Sequence, residues 1–449
     1  MKKKFILFYL FLLIIDFSCI TGLDYDYKTE LIYVAFDKFK DKIKITNTRP
    51  LHQVNKIYTY KKFLFINDSN MGVHIIDNTN PSEPKNKGFL QIPFNEDISI
   101  KKDVLYADSL DELIAIDISE IEKNKINITK RLKMETYFLN NKFVFDKNKG
   151  ISIGYKRTPE YKPRIILGLP YGCSSKSANN ASVKENSNFS DKTNQGKGGS
   201  LARFSIVNDY LYTVTKSDIN VFSLKDEKNP EKIGKVEIAK NRADVETIYA
   251  YKDKLFMGSS TGAYIYDNKE PQKPEFISKI EHIRSCDPVV VENNTAYITL
   301  RNGVSCRNGS NQLDVVDIAD LKNPKIINSY NFKNPWGLAI NEGNLFVCDY
   351  NSGVKVFDAK ESSNLKEISN ININKAKDII LNDNYLGIIN TDDGIYEYDF
   401  SGVPKNTNFK KLSFIKVDIP NIDDGKVSVS YQIKDGKTEV YYDWYKELI

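Results

Sequence analysis

Short apolar segments alternate with polar turns along most of this chain of 449 residues. One segment recurs: a run of β-branched, aromatic and aliphatic residues that ends in an acidic residue, as at residues 262–267. Such runs favour strands, and the Asp, Asn and Pro residues that follow favour turns. The last residues of the seven copies that can be aligned are Asp77, Asp117, Ser223, Asp267, Asp317, Asp358 and Asp399. We therefore predict that each copy is a strand, and that its Asp bonds the backbone of the following turn rather than serving in catalysis.

The copies recur with a period of about 40 residues, which is typical of repeat architectures built from four strands. A second strand with an aromatic residue near its middle precedes six copies, whereas the corresponding position of the last copy is Gly387. A single four-stranded sheet cannot bury both of its faces, but sheets that stack around an axis bury them against one another. The pattern predicts an all-β fold, a seven-bladed β-propeller of four-stranded antiparallel blades. The predicted blades are 51–93, 95–133, 200–238, 243–282, 285–332, 334–369 and 375–417.

The segments outside the repeat follow a less regular pattern. Residues 19–50 form a leader with one strand at 31–36 and a second near 43–45, and residues 142–145 and 151–155 suit a hairpin. Residues 174–199 are rich in Ser, Asn, Lys and Gly, so we predict a disordered insertion within the propeller domain of 51–417. The extension 418–449 suits a second hairpin, 427–433 with 438–444. Propellers usually close by pairing strands from both ends of the chain, and either the segment near 43–45 or the extension suits that role.

The N-terminus has the pattern of an export signal. Three lysines follow Met1, an apolar run covers residues 5–15, and Ser18 precedes Cys19. A basic start, a short apolar run and a small residue before the cut describe a signal peptide, here 1–18. Cys19 is placed like the lipidated cysteine of a bacterial lipoprotein, which predicts an outer-membrane or cell-surface anchor. The alternative is an ordinary secreted or periplasmic protein that is cut nearby.

Charge, cysteine content and motifs limit the kinds of partner, cross-link and cofactor that we expect. The net charge is +5 at pH 7, which gives no reason to expect a nucleic-acid partner. In an exported chain, Cys286 and Cys306 suit a disulfide within the fifth blade, whereas Cys348 ends an apolar strand and suits a buried thiol. We find no motif for a cofactor, and the run that begins at Asp349 suits a turn better than a calcium loop, so we predict no cofactor and no metal.

A ligand site is expected where the first strands of the blades begin, at one mouth of the central channel. The charged and aromatic residues expected there are His52, Glu96, Asp97, Arg203, Asp244, Glu246, Arg284, Asp287, Trp336, Lys377 and Asp378. From these we select a predicted ligand-binding set: Arg203, Glu246, Arg284, Asp287 and Trp336. The alternative is that these charges pair with one another and only order the channel.

Several longer motifs resemble a known family. The segments 72–84, 313–324 and 353–358 resemble the LVIVD repeat, and the segments 200–204, 284–291 and 345–349 are similar to an LVIVD-repeat lipoprotein family of Bacteroidetes-type bacteria. The resemblance covers residues 51–417 and implies a cell-surface β-propeller. It implies no activity that can be transferred to this chain.

These observations favour an exported, lipid-anchored propeller of the cell envelope that binds a protein or glycan. We predict no catalytic residue. The protein would meet the membrane only through its lipid anchor. The alternative is a glycan-active lyase or hydrolase of the envelope that uses two of Glu246, Asp287 and Asp378, which would have to lie about 5–10 Å apart and open to solvent. A third possibility is a scaffold whose insertion and extension mediate assembly.

Overall fold

The computed structural model describes residues 26–134, 145–146, 148–160, 197–238, 244–281, 288–302, 310–382, 385–418, 429–434 and 437–442. The chain divides into two compact units. The larger unit is made of Phe36–Lys142, Asn179–Lys426 and Leu448–Ile449, and it contains seven antiparallel sheets of at least four strands. The predicted seven-bladed β-propeller is therefore confirmed.

Each blade uses four consecutive strands, which we number 1 to 4 from the first strand outward. Blades 1 and 2 consist of Val54–Tyr60, Phe63–Asp68, Gly72–Asp77 and Lys85–Gln91, and of Ile98–Lys101, Val104–Ser109, Glu112–Asp117 and Asn127–Lys133. Blades 3 and 4 consist of Phe204–Val207, Tyr210–Val214, Asp218–Ser223 and Glu231–Glu237, and of Tyr249–Tyr251, Lys254–Ser259, Gly262–Asp267 and Glu275–Glu281. Blades 5 and 6 consist of Val289–Glu292, Thr295–Leu300, Gln312–Asp317 and Lys325–Asn331, and of Pro335–Asn341, Asn344–Asp349, Gly353–Asp358 and Lys366–Ile371. Blade 7 consists of Ala376–Leu381, Leu386–Thr391, Gly394–Asp399 and Lys410–Lys416.

The core lies between the blades. From blade 1 to blade 7, the first strands of consecutive blades contact each other around the centre, and each apolar cluster joins two or three neighbouring blades. The buried aromatic residues at the middle of strand 2 belong to these clusters: Phe65, Tyr106, Tyr212, Phe256, Tyr297 and Phe346. Burial of apolar side chains between sheets is the dominant stabilising term for such a ring.

The Asp that ends strand 3 shapes the turn that follows it. In six blades its Oδ1 accepts a hydrogen bond from the backbone N–H two residues later, at 2.8 to 3.1 Å. In blade 3, Ser223 Oγ accepts the equivalent bond from Lys225 at 3.5 Å. The predicted structural role of this residue is confirmed.

A bulge follows in strand 4 of every blade, and the sequence did not predict it. In each blade one residue of strand 4 has no partner in strand 3. From blade 1 to blade 7 these residues are Lys87, Thr129, Ile233, Ile277, Ile327, Ile368 and Leu412. Bulges increase local twist, which bends the outer edge of each blade.

The weak seventh copy has a packing explanation. A Cβ atom on Gly387 would lie 1.8 Å from Cε2 of Phe400. The fully buried Phe400 ring therefore occupies the space that the strand-2 aromatic occupies in the other blades. The aromatic group has moved to the residue after Asp399, and the core volume is retained.

Neither candidate strand completes the last blade. Lys44–Thr46 pairs with Lys85–Gln91 as an extra outer strand of blade 1, and the C-terminal hairpin belongs to the smaller unit. The ring closes where Leu51 forms an isolated parallel bridge with Val417, and Asp418 N–H donates to Leu51 O at 2.8 Å. An apolar cluster that includes Leu64, Ile76 and Ile388 packs blade 7 against blade 1.

The smaller unit is a separate sheet that the sequence did not predict as a whole. It is made of Asp26–Val34, Phe145–Asp146, Gly150–Glu160, Val429–Lys434 and Lys437–Tyr442. Both predicted hairpins are present in it, although their exact limits differ from the prediction. Its strands come from three distant parts of the chain, namely the leader, the segment between blade 2 and the insertion, and the extension, so local patterns could not reveal their pairing.

Two short helical turns complete the described structure, the α-helix Asp37–Lys40 and the 3-10 helix Ile121–Lys123. Among the described residues, no helix has the length and apolar character needed to cross a membrane. The predicted signal peptide 1–18, Cys19, and the cysteines Cys286 and Cys306 lie outside the described residues. Cys348 is buried and free, as predicted.

Candidate functional site

The centre of the ring is crossed by a segment of the chain itself. We call residues 197–203 the strap; they lead directly into strand 1 of blade 3, which begins at Phe204. Lys197–Gly198 pairs with Tyr58 and Thr59 in strand 1 of blade 1. Ala202 O accepts a hydrogen bond of 2.8 Å from Ile248 N in blade 4. Because strand 1 of each blade surrounds the centre, a segment that contacts these blades lies inside the central channel.

Ser200 fixes the middle of the strap. Its N–H and its Oγ–H donate to Asp378 Oδ1 at 3.1 and 3.0 Å, and Leu338 N–H donates to Ser200 Oγ at 2.6 Å. Gly199 is required here, because a Cβ on it would lie 2.0 Å from Asp378 Oδ2. The prediction that disorder extends to residue 199 is therefore wrong for 197–199, which form a strand and the approach to Asp378. A polar, glycine-rich composition did not distinguish a channel strap from a disordered loop.

Asp97 fixes the other end of the strap. Its Oδ2 accepts hydrogen bonds from Arg203 N and Phe204 N at 2.6 and 3.1 Å. Lys56 Nζ lies 2.8 Å from the same oxygen, and both side chains are buried. The backbone of Arg203 is thus anchored, and this fixes the point from which its side chain extends.

Glu246 lies at the same end of the channel as Arg203. Burial raises the pKa of its carboxyl group, while the positive charges of Arg203, Arg301 and Lys216 act in the opposite direction. The residue is half-buried, and within the described part of the chain its carboxylate has no hydrogen bond or ion pair shorter than 4.0 Å. The guanidinium group of Arg203 is likewise without such a contact there. Arg203 and Glu246 are therefore opposite charges of the predicted set that have no such partner among the described residues.

Trp336 lies at the start of strand 1 of blade 6, as predicted, but it is not open to solvent. It is only 7% exposed, and it stacks on Tyr350 with ring centroids 5.4 Å apart. The guanidinium carbon of Arg301 lies 4.2 Å from the centroid of the Trp336 ring. Trp336 therefore holds Arg301 in place instead of presenting an open ring face to a ligand.

The other predicted charges are mostly paired. Glu96 accepts hydrogen bonds from Asn55 and Ser69, both at 3.2 Å. Lys377 forms an ion pair with Asp392. Four further pairs bring the total to six: Arg49 with His52 at 3.2 Å, Lys216 with Asp244 at 3.7 Å, Lys56 with Asp97 at 2.8 Å, and Ser200 with Asp378 at 3.0 Å. These expected charges are therefore paired, but with residues outside the predicted group and not with one another as the alternative expected.

Two residues of the predicted set, Arg284 and Asp287, lie outside the described residues. Arg301 was missed by sequence reasoning. It follows Thr295–Leu300 directly and begins the long turn of blade 5. That position in the sequence could have identified it as a candidate site residue. We use the name mouth for the group formed by Arg203, Glu246, Arg301 and Trp336.

The arrangement bears on catalysis and on metal binding. Asp378 is buried and accepts both hydrogen bonds from Ser200, so it does not form an open carboxylate pair with Glu246. Among the described residues, no group of three or more His, Cys, Asp or Glu side chains is placed to hold a metal ion. Asp349 accepts backbone hydrogen bonds from Lys333, Asn334 and Asn351, which confirms its predicted role in a turn.

Comparison with known proteins supports the fold alone. No protein-family model and no curated protein matches the chain. A periplasmic gluconolactonase of Pseudomonas aeruginosa, PpgL, is similar in structure, with a TM-score of 0.51, 10% identity, and coverage of 81% of this chain and 96% of that one. A protein from Lactobacillus plantarum gives a TM-score of 0.49 with 13% identity over 82% of this chain and 97% of that one. The computationally designed Ika8 protein gives 0.49 with 9% identity over 89% of this chain and 99% of that one.

Proposed function

We propose that this propeller is a binding scaffold whose ligand docks at the mouth. The observation that carries the proposal is the pair Arg203 and Glu246. Both side chains lie where strand 1 of their blades begins, and neither has a close partner among the described residues. The surrounding charges, by contrast, are already paired.

The energetics support a missing partner. A carboxylate that is removed from water without a hydrogen bond costs free energy, commonly about 1–3 kcal/mol and more for a full charge. Burial raises the pKa of Glu246, which reflects this cost. A ligand that donates to Glu246 and accepts from Arg203 would offset the cost on binding, and a propeller mouth is a common place for a ligand.

The cellular setting is also a proposal. We propose that the chain is exported, lipid-anchored through Cys19 and belongs to the LVIVD-repeat lipoproteins, with a protein or glycan of the cell envelope as ligand. The leader pattern and the repeat motifs support this. Metabolic labelling with a palmitate analogue tests the anchor: label should enter the native chain and be absent from a Cys19→Ala variant. Equal labelling of both chains would overturn the anchor.

Binding at the mouth is tested by capture from envelope fractions on the immobilised protein. The Arg203→Met and Glu246→Leu variants should each retain less than about a tenth of the material that the native protein retains. Lys87→Met is the matched control, because Lys87 is exposed in strand 4 of blade 1. Unchanged capture by both mouth variants, with thermal midpoints equal to the native one, would remove the mouth as the site.

A glycan-active enzyme remains the second candidate, since the raised pKa of Glu246 suits a proton donor. Asp378 does not supply the second carboxylate, because Ser200 occupies it. Reducing-end release from envelope glycans that disappears in Glu246→Gln would favour the enzyme. Binding without release would favour the scaffold.

A further inference from the structure

We infer that a cluster of four side chains beside the ring closure acts as an acid-sensitive latch: Arg49, His52, Asp68 and His74. The seam that the latch holds is the junction of blades 1 and 7, where Leu51 bridges Val417. Acid protonates the two histidines and loosens this seam. The latch is a conformational device, and it does not depend on which ligand the mouth binds.

Asp68 connects the closing segment to the core of blade 1. Its Oδ1 accepts a hydrogen bond from Gln53 N at 3.0 Å, and its Oδ2 accepts one from His52 N at 3.3 Å. These two residues follow Leu51 directly, and Leu51 O accepts the bond of 2.8 Å from Asp418 N. The carboxylate of Asp68 therefore fixes the backbone on the blade 1 side of the seam.

His74 shares that carboxylate. Its Nε2 lies 3.2 Å from Asp68 Oδ2, and both side chains are fully buried. Burial acts to raise the pKa of Asp68, but the hydrogen bonds from His74 and Gln53 hold it below its usual value. Asp68 is therefore the ionised acceptor, and Nε2 is the nitrogen of His74 that carries the proton.

A second proton on His74 is costly. It would have to enter at Nδ1, which is buried and has no hydrogen-bond partner among the described residues. Burial lowers the pKa of His74 against the attraction of Asp68, and the positive charges of Arg49 and His52 act in the same direction as burial. Because the folded pKa lies below the unfolded value, the stability that neutral His74 gives is complete above about pH 6.5 and is lost as the pH falls.

His52 responds to acid through its contact with Arg49. Nη2 of Arg49 lies 3.2 Å from His52 Nδ1. A guanidinium group can only donate, so Nδ1 of His52 is the acceptor and carries no proton. Protonation of that nitrogen would set two donors and two positive charges against each other. The same nitrogen lies 3.9 Å from Asp68 Oδ2, so protonated His52 turns from Arg49 towards Asp68 and displaces the segment that contains Leu51.

The other charged groups at the seam do not produce this response. Glu397 of blade 7 accepts a hydrogen bond of 2.7 Å from Asn78 of blade 1, and burial raises its pKa. Protonation of Glu397 by acid removes a buried charge, which stabilises the seam instead of loosening it. Lys416 and Asp418 form an ion pair of 2.9 Å that is exposed to solvent and contributes little.

Amide hydrogen exchange of the full chain at pH 7.5 and pH 5.5 tests the latch, because histidines change charge in this range. Labelling times are adjusted for the slower chemical exchange of amides at the lower pH. The peptide 412–418 reports the seam, since Asp418 N donates across it to Leu51 O. Its protection should fall at least about tenfold at pH 5.5, whereas the protection of Pro335–Asn341 in blade 6 should be unchanged.

Histidine variants identify the cause. The double variant His52→Gln, His74→Gln keeps an acceptor for Arg49 and a donor for Asp68 but cannot be protonated, so its protection at 412–418 should be equal at the two pH values. His52→Gln alone, at a side chain that is 33% exposed, should show a smaller loss than the native chain. His282→Gln replaces the remaining histidine of the sequence and is the matched control, which should respond like the native chain.

Three results would overturn the latch. The first is equal protection of 412–418 in the native chain at both pH values, which requires no variant. The second is an undiminished loss at pH 5.5 in the double variant when its thermal midpoint at pH 7.5 equals the native one. The third is an equal loss in blade 6, which would show that acid unfolds the whole ring and not its seam.

Discussion

Asp108 shows how a single carboxyl group can be shifted by its surroundings. It is buried, and its Oδ1 accepts hydrogen bonds from Glu96 N and Asp97 N, both at 2.9 Å, and from Asn95 Nδ2 at 2.7 Å. Burial raises the pKa of Asp108 to about 7, and the nearby charges of Asp97 and Glu96 act in the same direction. The backbone hydrogen bonds oppose this shift only in part.

The shift predicts a pH-dependent effect on stability. Because the folded pKa lies above the unfolded value, the stabilisation from this group is complete below about pH 4 and is lost as the pH rises towards 7. The unfolding free energy of Asp108→Asn minus that of the native chain should therefore increase by at least about 1 kcal/mol as the pH rises from 5 to 8. Urea unfolding at several pH values measures this.

Asp399→Asn is the control for that experiment. The hydrogen bonds from Ser401 hold the pKa of Asp399 below its usual value. Its stabilisation is lost only as the pH falls below about 4, so the difference from the native chain should be flat from pH 5 to pH 8. A flat difference for Asp108→Asn as well would contradict the shift.

At this scale the sequence was informative where the interaction is local. The turn role of Asp317 could be predicted because its partner, Ala319 N, is two residues away. The exchange of an aromatic group between Gly387 and Phe400 could not, because it depends on which side chain fills one space in the core. The sequence likewise did not show whether Glu246 is paired, since the cationic groups near it come from other blades.

The strap is the element that most distinguishes this molecule from a plain propeller. Ser200 links it to blade 7 through Asp378 and to blade 6 through Leu338. Composition alone predicted disorder up to residue 199. It could not reveal the strap, because the hydrogen-bond partners of the strap lie on strands that are distant in the sequence. The same limit applies to the smaller unit, whose strands are paired across more than a hundred residues of sequence.

Removing the Ser200 hydroxyl tests the strap. Ser200→Ala leaves Leu338 N–H without its acceptor and removes one donor to Asp378. Loss of hydrogen bonds at buried groups should lower the unfolding free energy by about 1–3 kcal/mol. Ser363→Ala, at an exposed turn position, should cost less than about 0.5 kcal/mol. Equal effects of the two substitutions in urea unfolding would contradict the role given to Ser200.

For the whole molecule, one position at the ring closure differs in its chemistry from the equivalent position of other blades. Glu397 is fully buried at a position where Ile75, Val315 and Val356 stand in other blades. Its Oε2 accepts a hydrogen bond of 2.7 Å from Asn78 of blade 1, and its Oε1 accepts one of 3.1 Å from Ser413. Burial raises the pKa of Glu397. The seam between the first and last blades is thus partly polar.

A double-mutant cycle tests this seam. Asn78→Leu alone removes the cross-blade partner of a buried carboxyl group and should cost about 2–4 kcal/mol. Glu397→Val combined with Asn78→Leu should recover at least half of that loss, because the pair then resembles the apolar junctions elsewhere. Thermal or urea unfolding supplies the energies. Additive effects of the two substitutions would show that the two residues do not interact.

The repeat predicted the blades correctly because each blade is formed by consecutive residues, and strand period and turn chemistry are local properties. It did not predict how the ring closes, because closure rests on a bridge between Leu51 and Val417, on hydrogen bonds between blades 1 and 7, and on packing between distant blades.

The central claim is that the strap occupies the central channel, and amide hydrogen exchange of the full protein tests this most directly. The amides of Ser200, Arg203 and Phe204 are hydrogen-bonded to Asp378 and Asp97. A peptide that covers 197–204 should therefore exchange as slowly as strand Pro335–Asn341 of blade 6. Exchange as fast as that of the exposed turn 401–407 would contradict the account.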